Sequence, residues 1–379
     1  MHAYPMLLVD SRFSNSEYQA RHRQTIALAK EHDCSAVLTF GENKSGVVST
    51  WLTGWGTTRL ALNLLTEKES LLWILFQNHT PAAKRTAQET QVFVYDIDAV
   101  EKALTSFKGK SLATIGTATG DVRKIASKLD ITLITLDKAH AKMRAIKSVE
   151  EVEILRAGAK VTDLGAQELI ESCKIGASDW QIFANARSGY TVAGGRDHIC
   201  YICVADMNAP DRDVPSQFPE GRIVRENSAI TFEISASASA EYPGQVLRTV
   251  TIGEPTAQYK ELHAVADETL ARMRKILKPG ISALDLIAAS SIIEEAGFTT
   301  TDDLFHGLGA GYLEPIGTSR SRIPMHAPDL TIEAGMAIVL QPNVTTIDHS
   351  AGVQTGEMVI VTSDGFEDIH HITSGLLQR

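Results

Sequence analysis

One short sequence pattern occurs twice in the second half of the chain and constrains the fold more than any single residue. The segments KIGASDWQIFANA (174–186) and KPGISALDLIAAS (278–290) share Lys-x-Gly-x-Ser, with an apolar residue four positions after the serine. In each copy a long helical pattern comes first, a glycine ends it, and the serine caps the next helix. The repeat indicates either two similar halves around a pseudo-twofold axis, with a site between them, or independent use of the same capping chemistry.

The first 140 residues carry a different pattern, in which β-type apolar runs alternate with helix-like periods. A helix is predicted over residues 15–32 and a strand over SAVLTF (35–40). Further strands are predicted at LALNLL (60–65), SLLWILF (70–76), QVFVYDI (91–97), LATIG (112–116) and ITLITL (131–136). Such alternation is typical of an α/β domain.

A strong helical pattern covers residues 138–173. Within it, Ser148 is placed to cap the second part, and Glu150 and Glu151 follow in the first turn, where the helix dipole favours acidic residues. We place the domain boundary near Ile146. This gives an N-terminal domain of residues 1–145 and a C-terminal domain of residues 146–379.

Composition narrows the possible partners and compartment. The 379 residues include 46 acidic and 36 basic ones, and no basic run stands out, so nucleic acid is not an expected partner. The longest apolar stretch, LLWILF (71–76), is far shorter than a membrane span, and the N-terminus does not resemble a signal peptide. Four cysteines, two of them in Cys200-x-x-Cys203, indicate a reduced cytoplasmic protein rather than a disulfide framework.

Four segments, in one order, resemble the motifs of the creatinase, Xaa-Pro aminopeptidase and prolidase superfamily (peptidase family M24). They are MRAIKSVEEVEILRAGA (143–159), NSAITFEISASASAEYPGQVLRTVTIGEP (227–255), FHGLGAGYLEP (305–315), and IEAGMAIVLQPNV (332–344) with GVQTGEMVIVTSDGFEDI (352–369). The segment STWLTGWGTTRLALNLL (49–65) is similar to the N-terminal domain of creatinase and prolidase. The resemblance implies such an α/β N-terminal domain and an α+β pita-bread C-terminal domain with a pseudo-twofold internal repeat.

The resemblance also implies a metal site, and here the chain departs from the family pattern. Metal-dependent members hold two divalent ions with two Asp, one His and two Glu. The corresponding positions are Ile234 or Glu233, Gln245, His306, Gln341, and Gly356 with Glu357 beside it. Because a neutral amide does not supply the charge of a bridging carboxylate, the sequence predicts no metal at this site, and no cofactor is expected.

His306 is the one ligand that the pattern keeps. We predict that it acts as a catalytic acid and base, since imidazole titrates near neutral pH, although it can also be a leftover ligand with a structural role. Glu357 and Glu314 are the other catalytic candidates, and Glu314, which precedes Pro315, can simply fix the loop. The candidate substrate-binding residues are Gln245, Gln341, Glu233, Arg59, Tyr312, Arg322 and His326.

Arg59 is included because of the resemblance. Creatinase has an arginine in the similar segment that reaches the active site of the neighbouring subunit and binds the substrate carboxylate, a task that suits a bidentate guanidinium. Arg322 and His326 belong to the loop GTSRSRIPMHAPD (317–329), which would border the same cleft. For all three residues, a solvated side chain without a role in binding is the alternative.

These features predict a metal-independent, creatinase-like enzyme that forms a homodimer in the cytoplasm. As a hydrolase or lyase, and not a peptidase, it would cleave a C–N or related bond in a small polar metabolite that carries a carboxylate. Two alternatives stay open. One is a non-catalytic pita-bread module that binds a peptide or a partner protein, and the other is a Xaa-Pro aminopeptidase or prolidase-type metallopeptidase, which requires ligands that this chain lacks.

Overall fold

A computed structural model of the chain describes residues 13–42, 46–56, 59–238, 241–322 and 330–379. Two compact units form, one from Arg12–Arg144 and the other built on Ala145–Arg379. Within the described ranges, no helix is both long and apolar enough to cross a membrane. Most of the predicted site residues belong to the second unit, whereas Arg59 belongs to the first.

The first unit is an α/β structure around a six-stranded sheet. Its strands are β1 (Val37–Gly41), β2 (Ala61–Leu65), β3 (Ser70–Ile74), β4 (Gln91–Val94), β5 (Ser111–Ile115) and β6 (Thr132–Thr135). Its helices are α1 (Asn15–Glu31), α2 (Val47–Thr53), α3 (Thr80–Thr86), α4 (Ile97–Leu104) and α5 (Gly120–Lys128). The strand order is β4-β3-β2-β1-β5-β6, with β1 antiparallel to β2 and parallel to β5. The predicted α/β organisation is confirmed.

The long helical pattern is interrupted at residues 146–148. Helix α6 (Asp137–Ala145) ends there, and α7 (Val149–Ser172) begins after a capping box. The Ser148 hydroxyl accepts the Glu151 N–H at 3.1 Å, and the Glu151 carboxylate accepts the Ser148 N–H at 2.9 Å. These reciprocal bonds satisfy donors that the start of a helix leaves unpaired. The predicted cap at Ser148 is confirmed.

The second unit contains a nine-stranded sheet. Its strands are β7 (Arg196–Asp206), β8 (Ser228–Ser237), β9 (Val246–Thr251), β10 (Phe305–Gly309), β11 (Gly311–Gly317), β12 (Ala337–Leu340), β13 (Gly356–Val361), β14 (Phe366–Asp368) and β15 (Leu377–Gln378). Its further helices are α8 (Asp179–Val192), α9 (Ala257–Ile276), α10 (Ala283–Ala289) and α11 (Ile292–Glu295). The strand path is β11-β10-β12-β13-β9-β8-β7, while β14 pairs with β13 and β15 with β9. This arrangement is the predicted α+β domain.

The repeated Gly-x-Ser pattern occupies equivalent positions in the two halves of the second unit. Gly176 and Gly280 have φ angles of 90° and 91°, a left-handed conformation that glycine adopts at low cost. Ser178 caps α8 and Ser282 caps α10, each within a capping box. Each serine also forms a β-bridge to a later segment; the pairs are Ser178 with Ile223 and Ser282 with Thr331. Matching bridges on both copies support two similar halves, because shared capping chemistry alone does not require them.

The long helices pack against one face of the second sheet. Ile234 lies in a core with residues of α7 and α8, and Leu340 lies in a corresponding core with residues of α9 and α10. Because side chains alternate along a strand, Glu233 and Gln341, their sequence neighbours, point to the opposite face. We call the side with Ile234 and Leu340 the helix face, and the side with Glu233 and Gln341 the site face.

Candidate active site

Four buried polar side chains come together on the site face, and we call them the central site. Glu233 is on β8, Gln245 directly precedes β9, His306 is on β10, and Gln341 directly follows β12. Ile234 points to the helix face, so Glu233 is the β8 residue that faces the other three. Each half of the second unit therefore contributes two of the four side chains.

Gln245 lies at the centre of their hydrogen bonds. Its Nε2 lies 2.8 Å from Glu233 Oε1, 3.1 Å from Gln341 Oε1 and 3.3 Å from His306 Nε2. His306 Nδ1 lies 3.1 Å from the Gly307 carbonyl, which only accepts, so Nδ1 carries the ring hydrogen and Nε2 is an acceptor. Because Gln245 Nε2 has two hydrogens for three acceptors, it cannot donate to all three at once.

Burial leaves the two titratable groups of the central site uncharged near neutral pH. Burial, together with the nearby carboxylates of Asp302 and Asp303, raises the pKa of Glu233 to about 8. Burial lowers the pKa of His306 to about 4. At pH 7, Glu233 therefore holds a proton that it can donate, and His306 offers a lone pair on Nε2.

Tyr312 lies over the central site from β11. Its ring stacks on His306 with ring centroids 4.1 Å apart, and its hydroxyl donates a hydrogen bond to Asp303. Burial and this carboxylate raise the pKa of Tyr312, although 52% of the residue is exposed. Arg322 Nη1 lies 4.0 Å from Asp303 Oδ1. The structure thus groups Tyr312 and Arg322, both predicted to bind substrate, around Asp303.

The sequence analysis missed Asp302 and Asp303. They directly precede β10 in the segment TDDLFHG, so their closeness to the His-Gly motif was the available signal. Two adjacent acidic residues between structural elements are most often solvated, and only the packing brings Asp302 near Glu233.

The residues at the family's metal positions do not fit a dinuclear metal site. Gln245 and Gln341 are neutral amides, which cannot supply the negative charge of bridging carboxylates. At Gly356, where φ is 139°, a Cβ atom would lie 2.0 Å from the Leu340 carbonyl oxygen, so this backbone leaves no room for a carboxylate side chain. Among the described residues, no group of three or more His, Cys, Asp or Glu side chains is arranged to hold a metal ion.

Glu357 lies on the helix face and not in the central site. Its carboxylate accepts from Arg248 Nη2 at 2.5 Å and lies 3.4 Å from Arg274 Nη1. Together with both arginines and Asp267, it lines a cavity of about 480 Å³. Because the structure does not bring Glu357 to His306, it does not support Glu357 as a proton partner of that imidazole.

The remaining predicted site residues are Glu314, Arg59 and His326. Glu314 is on β11, and its side chain is exposed. Arg59 is exposed and precedes β2 in the first unit. His326 lies outside the described residues. Their roles in catalysis or substrate binding stay predictions.

Comparison with known proteins identifies relatives of this chain. The profile of metallopeptidase family M24 matches residues 153–363, which is more than half of the chain. An uncharacterised peptidase of Bacillus subtilis is 26% identical over 256 residues, 65% of this chain and 68% of that protein. A Xaa-Pro dipeptidase of Lactobacillus helveticus is 26% identical over 240 residues, 62% of this chain and 62% of that enzyme. The match thus spans less than two thirds of the Lactobacillus enzyme.

Solved structures show the same fold. The X-Pro aminopeptidase from Thermotoga maritima superposes with a TM-score of 0.82 over 95% of this chain and 99% of its own, at 21% identity. This similarity confirms the predicted pita-bread fold and N-terminal α/β domain.

The relatives also correct the predicted activity. We predicted a metal-independent, creatinase-like hydrolase or lyase that is not a peptidase, and this prediction is wrong. The family is one of metallopeptidases, and relatives of the chain are named as Xaa-Pro dipeptidases. These findings favour the peptidase, which the sequence analysis kept as an alternative.

Proposed function

Because the chain belongs to metallopeptidase family M24, we propose that it is a peptidase that acts on short peptides with a Xaa-Pro bond. The observation that carries the proposal is the central site, where the Gln245 amide lies between a buried carboxyl, a buried imidazole and a second amide. The names of the relatives support the substrate class, since several are Xaa-Pro dipeptidases.

The side-chain amides of Gln245 and Gln341 would bind the scissile peptide group. An amide bond to proline has no N–H, so a protein can recognise this group through its carbonyl oxygen but not through a donor on nitrogen. Gln245 and Gln341 are neutral donors beside the buried acid and base. We assign one of these amide nitrogens to the carbonyl oxygen, which would replace one of the three acceptors around Gln245 Nε2 and gain negative charge there during water attack.

Glu233 and His306 supply the proton transfers. Hydrolysis needs an acceptor for the proton of the attacking water and a donor for the leaving proline nitrogen. As water bonds to the carbonyl carbon, its proton passes to His306 Nε2. The C–N bond then breaks, its electron pair stays on nitrogen, and this nitrogen takes the proton of Glu233. Transfer of the proton from His306 back to Glu233 restores both groups.

The experiment is a proline-release assay with Ala-Pro, and with Ala-Ala as the control peptide. It is run once with a chelator and once with added Mn²⁺, Co²⁺ or Zn²⁺. We expect proline release that falls by about tenfold or more in Gln245→Leu and stays unchanged in Gln167→Leu, an exposed glutamine on α7. Turnover only with added metal would overturn the roles given to Glu233 and His306. No proline release under any condition would overturn the peptidase.

A protein that binds Xaa-Pro peptides without cleaving them is the second candidate function. It is favoured by one observation, since Gln245, Gln341 and Gly356 stand where the family pattern has carboxylates. Calorimetric titration with Ala-Pro separates the two candidates. Saturable binding that Gln245→Leu abolishes, without any proline release, would support the binding protein over the peptidase.

Assembly and compartment belong to the same proposal. We propose a homodimer in which Arg59 of one subunit serves the site of the other, on the basis of the resemblance to creatinase. Light scattering tests this, because a monomer with full activity would remove Arg59 from the substrate site.

A cytoplasmic location is supported by four free, buried cysteines. Cys200 and Cys203 are three residues apart on β7 and therefore point to opposite faces, which prevents a disulfide between them.

A further inference from the structure

A second imidazole, on the C-terminal side of β14, holds the backbone of the central glutamine. His370 Nε2 lies 3.3 Å from the Gln245 backbone nitrogen, and His370 Nδ1 lies 2.7 Å from Asp163 Oδ1 on α7. The other Asp163 oxygen accepts the backbone N–H of His371 at 2.7 Å. Asp163 therefore orients His370 from two sides, through the ring and through the chain that follows it.

These contacts define the tautomer of the His370 ring. The carboxylate of Asp163 only accepts, so Nδ1 carries the hydrogen and donates it. The backbone nitrogen of Gln245 only donates, so Nε2 of His370 is the acceptor. The chain of bonds Asp163–His370–Gln245 is complete only with this tautomer, and the side chain of His370 is fully buried.

The His370 ring packs closely against Gly244, which fixes its position. A Cβ atom at Gly244 would lie 2.9 Å from His370 Cε1 and 2.6 Å from Ala159 Cα, so a residue without a side chain is needed here. Helix α7 also binds the end of β8, the strand before the β8–β9 connection, because the Thr162 hydroxyl donates to the Ala236 carbonyl at 2.9 Å. The backbone that leads into Gln245 is therefore fixed to α7 on both sides of the β8–β9 connection.

We propose that Asp163 and His370 are positioning residues that set the place of the Gln245 side chain among Glu233, His306 and Gln341. The claim rests on the proposed function where it concerns turnover, but not where it concerns the position of Gln245. Its reason is geometric. The backbone bond to His370 and the side-chain bonds of the central site are all made by Gln245, so loss of the backbone bond lets this residue move away from three partners at once.

The first test does not depend on activity. Nitrogen-15 spectra of histidine-labelled protein distinguish a ring nitrogen that carries hydrogen from one that does not, and we expect the Nδ1–H form for His370. In His370→Leu the Gln245 amide hydrogen should exchange about tenfold faster, as expected for the loss of one hydrogen bond. The Nε2 signal of His306 should also shift in this variant, because Gln245 no longer donates to it.

Matched variants separate positioning from a general loss of structure. His370→Gln places an amide oxygen near the position of Nε2, so it should restore the His306 signal and slow exchange at Gln245. His371→Leu is the control, because the side chain of His371 is exposed and its backbone N–H remains. Asp163→Asn should disturb the His306 signal, because asparagine has one acceptor oxygen, whereas the His370 ring and the His371 backbone bind different oxygens of Asp163.

Turnover gives the second readout. We expect His370→Leu to lower kcat for Ala-Pro by about tenfold with little change in KM, and His370→Gln to recover at least half of the wild-type value. If His370 has the Nε2–H form, or if His370→Leu leaves both the His306 signal and the Gln245 exchange unchanged, the positioning role is wrong. If those signals change as expected but no variant or wild-type protein releases proline, only the proposed peptidase activity fails.

Discussion

The meeting point of β9 and β13 carries two contrasting sets of polar side chains on its two faces. On the site face, Gln245 is surrounded by groups without charge near neutral pH, a protonated Glu233 and a neutral His306 among them. On the helix face, three residues further along the chain, Arg248 forms an ion pair with Glu357 at 2.5 Å and is only 1% exposed. Two buried polar clusters therefore differ in charge although they share strands.

The two faces differ because a buried charge needs a counter-charge and hydrogen-bond partners. Arg248 has a counter-charge in Glu357 and also donates to the carbonyls of Leu247, Gly356 and Thr373, which together offset its desolvation. Glu233 has no such environment, because the charged groups that affect its pKa are themselves acidic. The same strands thus hold a structural ion pair on one face and groups that can exchange protons on the other.

The largest expected effect is the loss of stability when the Arg248–Glu357 ion pair on the helix face is removed. Arg248→Met should lower the free energy of unfolding by about 3–5 kcal/mol, because it removes one of the two arginines that face the Glu357 carboxylate and leaves several buried carbonyls without their donor. Urea unfolding followed by circular dichroism measures this loss. Arg272→Met is the matched control, since its exposed pair with Glu268 contributes about 1 kcal/mol or less. Equal losses in the two variants would mean that burial does not distinguish these ion pairs.

A smaller loss of stability is expected when a side chain is added at Gly356, the first residue of β13. Gly356→Ala should lower the free energy of unfolding by about 2–3 kcal/mol, because its φ of 139° and the nearby Leu340 carbonyl leave no room for a Cβ atom. Gly365→Ala, where a Cβ atom would meet nothing within 4 Å, is the control and should cost less than about 1 kcal/mol. A Gly356→Ala protein of full stability would reopen this position to a carboxylate ligand.

The smallest expected effect is a dependence of the free energy of unfolding on pH. Because the pKa of Glu233 rises from its ordinary 4.5 to about 8 on folding, the folded state binds more protons, and stability falls as pH rises between these values. His306, with a pKa lowered from 6.5 to about 4, acts in the opposite direction below pH 6.5. Between pH 6.5 and 8, stability should therefore fall by up to about 1.4 kcal/mol per pH unit.

Two variants test this slope by urea unfolding at several pH values. Glu233→Gln removes the titrating group, so the fall between pH 6.5 and 8 should disappear. Glu314→Gln changes an exposed glutamate and should keep it. The same slope in Glu233→Gln as in the wild type would show that another group titrates in this range.

Local chemistry made much of the fold predictable. The cap at Ser148 and the strands of the first unit can be predicted from the residues next to them in the sequence. The Gly-x-Ser repeat likewise marks equivalent turns in the two halves. The site was harder to predict, because one residue of register moves a side chain to the other face of a sheet. Glu233 and Glu357 are both next to a motif position, yet only Glu233 faces Gln245.

The contacts of Asp163 and His370 lay beyond sequence reasoning for a related reason. They are 207 residues apart, and nothing local marks them as partners. The predicted activity failed differently. The missing carboxylates of the family pattern predict the loss of peptidase function, whereas the relatives share the fold and the peptidase name.

The position of a bound dipeptide decides whether Gln245 and its neighbours form the substrate site. A crystal soaked with Ala-Pro should show the peptide on the site face, with its scissile carbonyl oxygen about 3 Å from the side-chain nitrogen of Gln245 or Gln341. The proline nitrogen should then lie within reach of Glu233. Binding of Ala-Pro in the cavity beside Glu357 on the helix face, with the central site undisturbed, would rule out the proposed role of Gln245 in substrate binding.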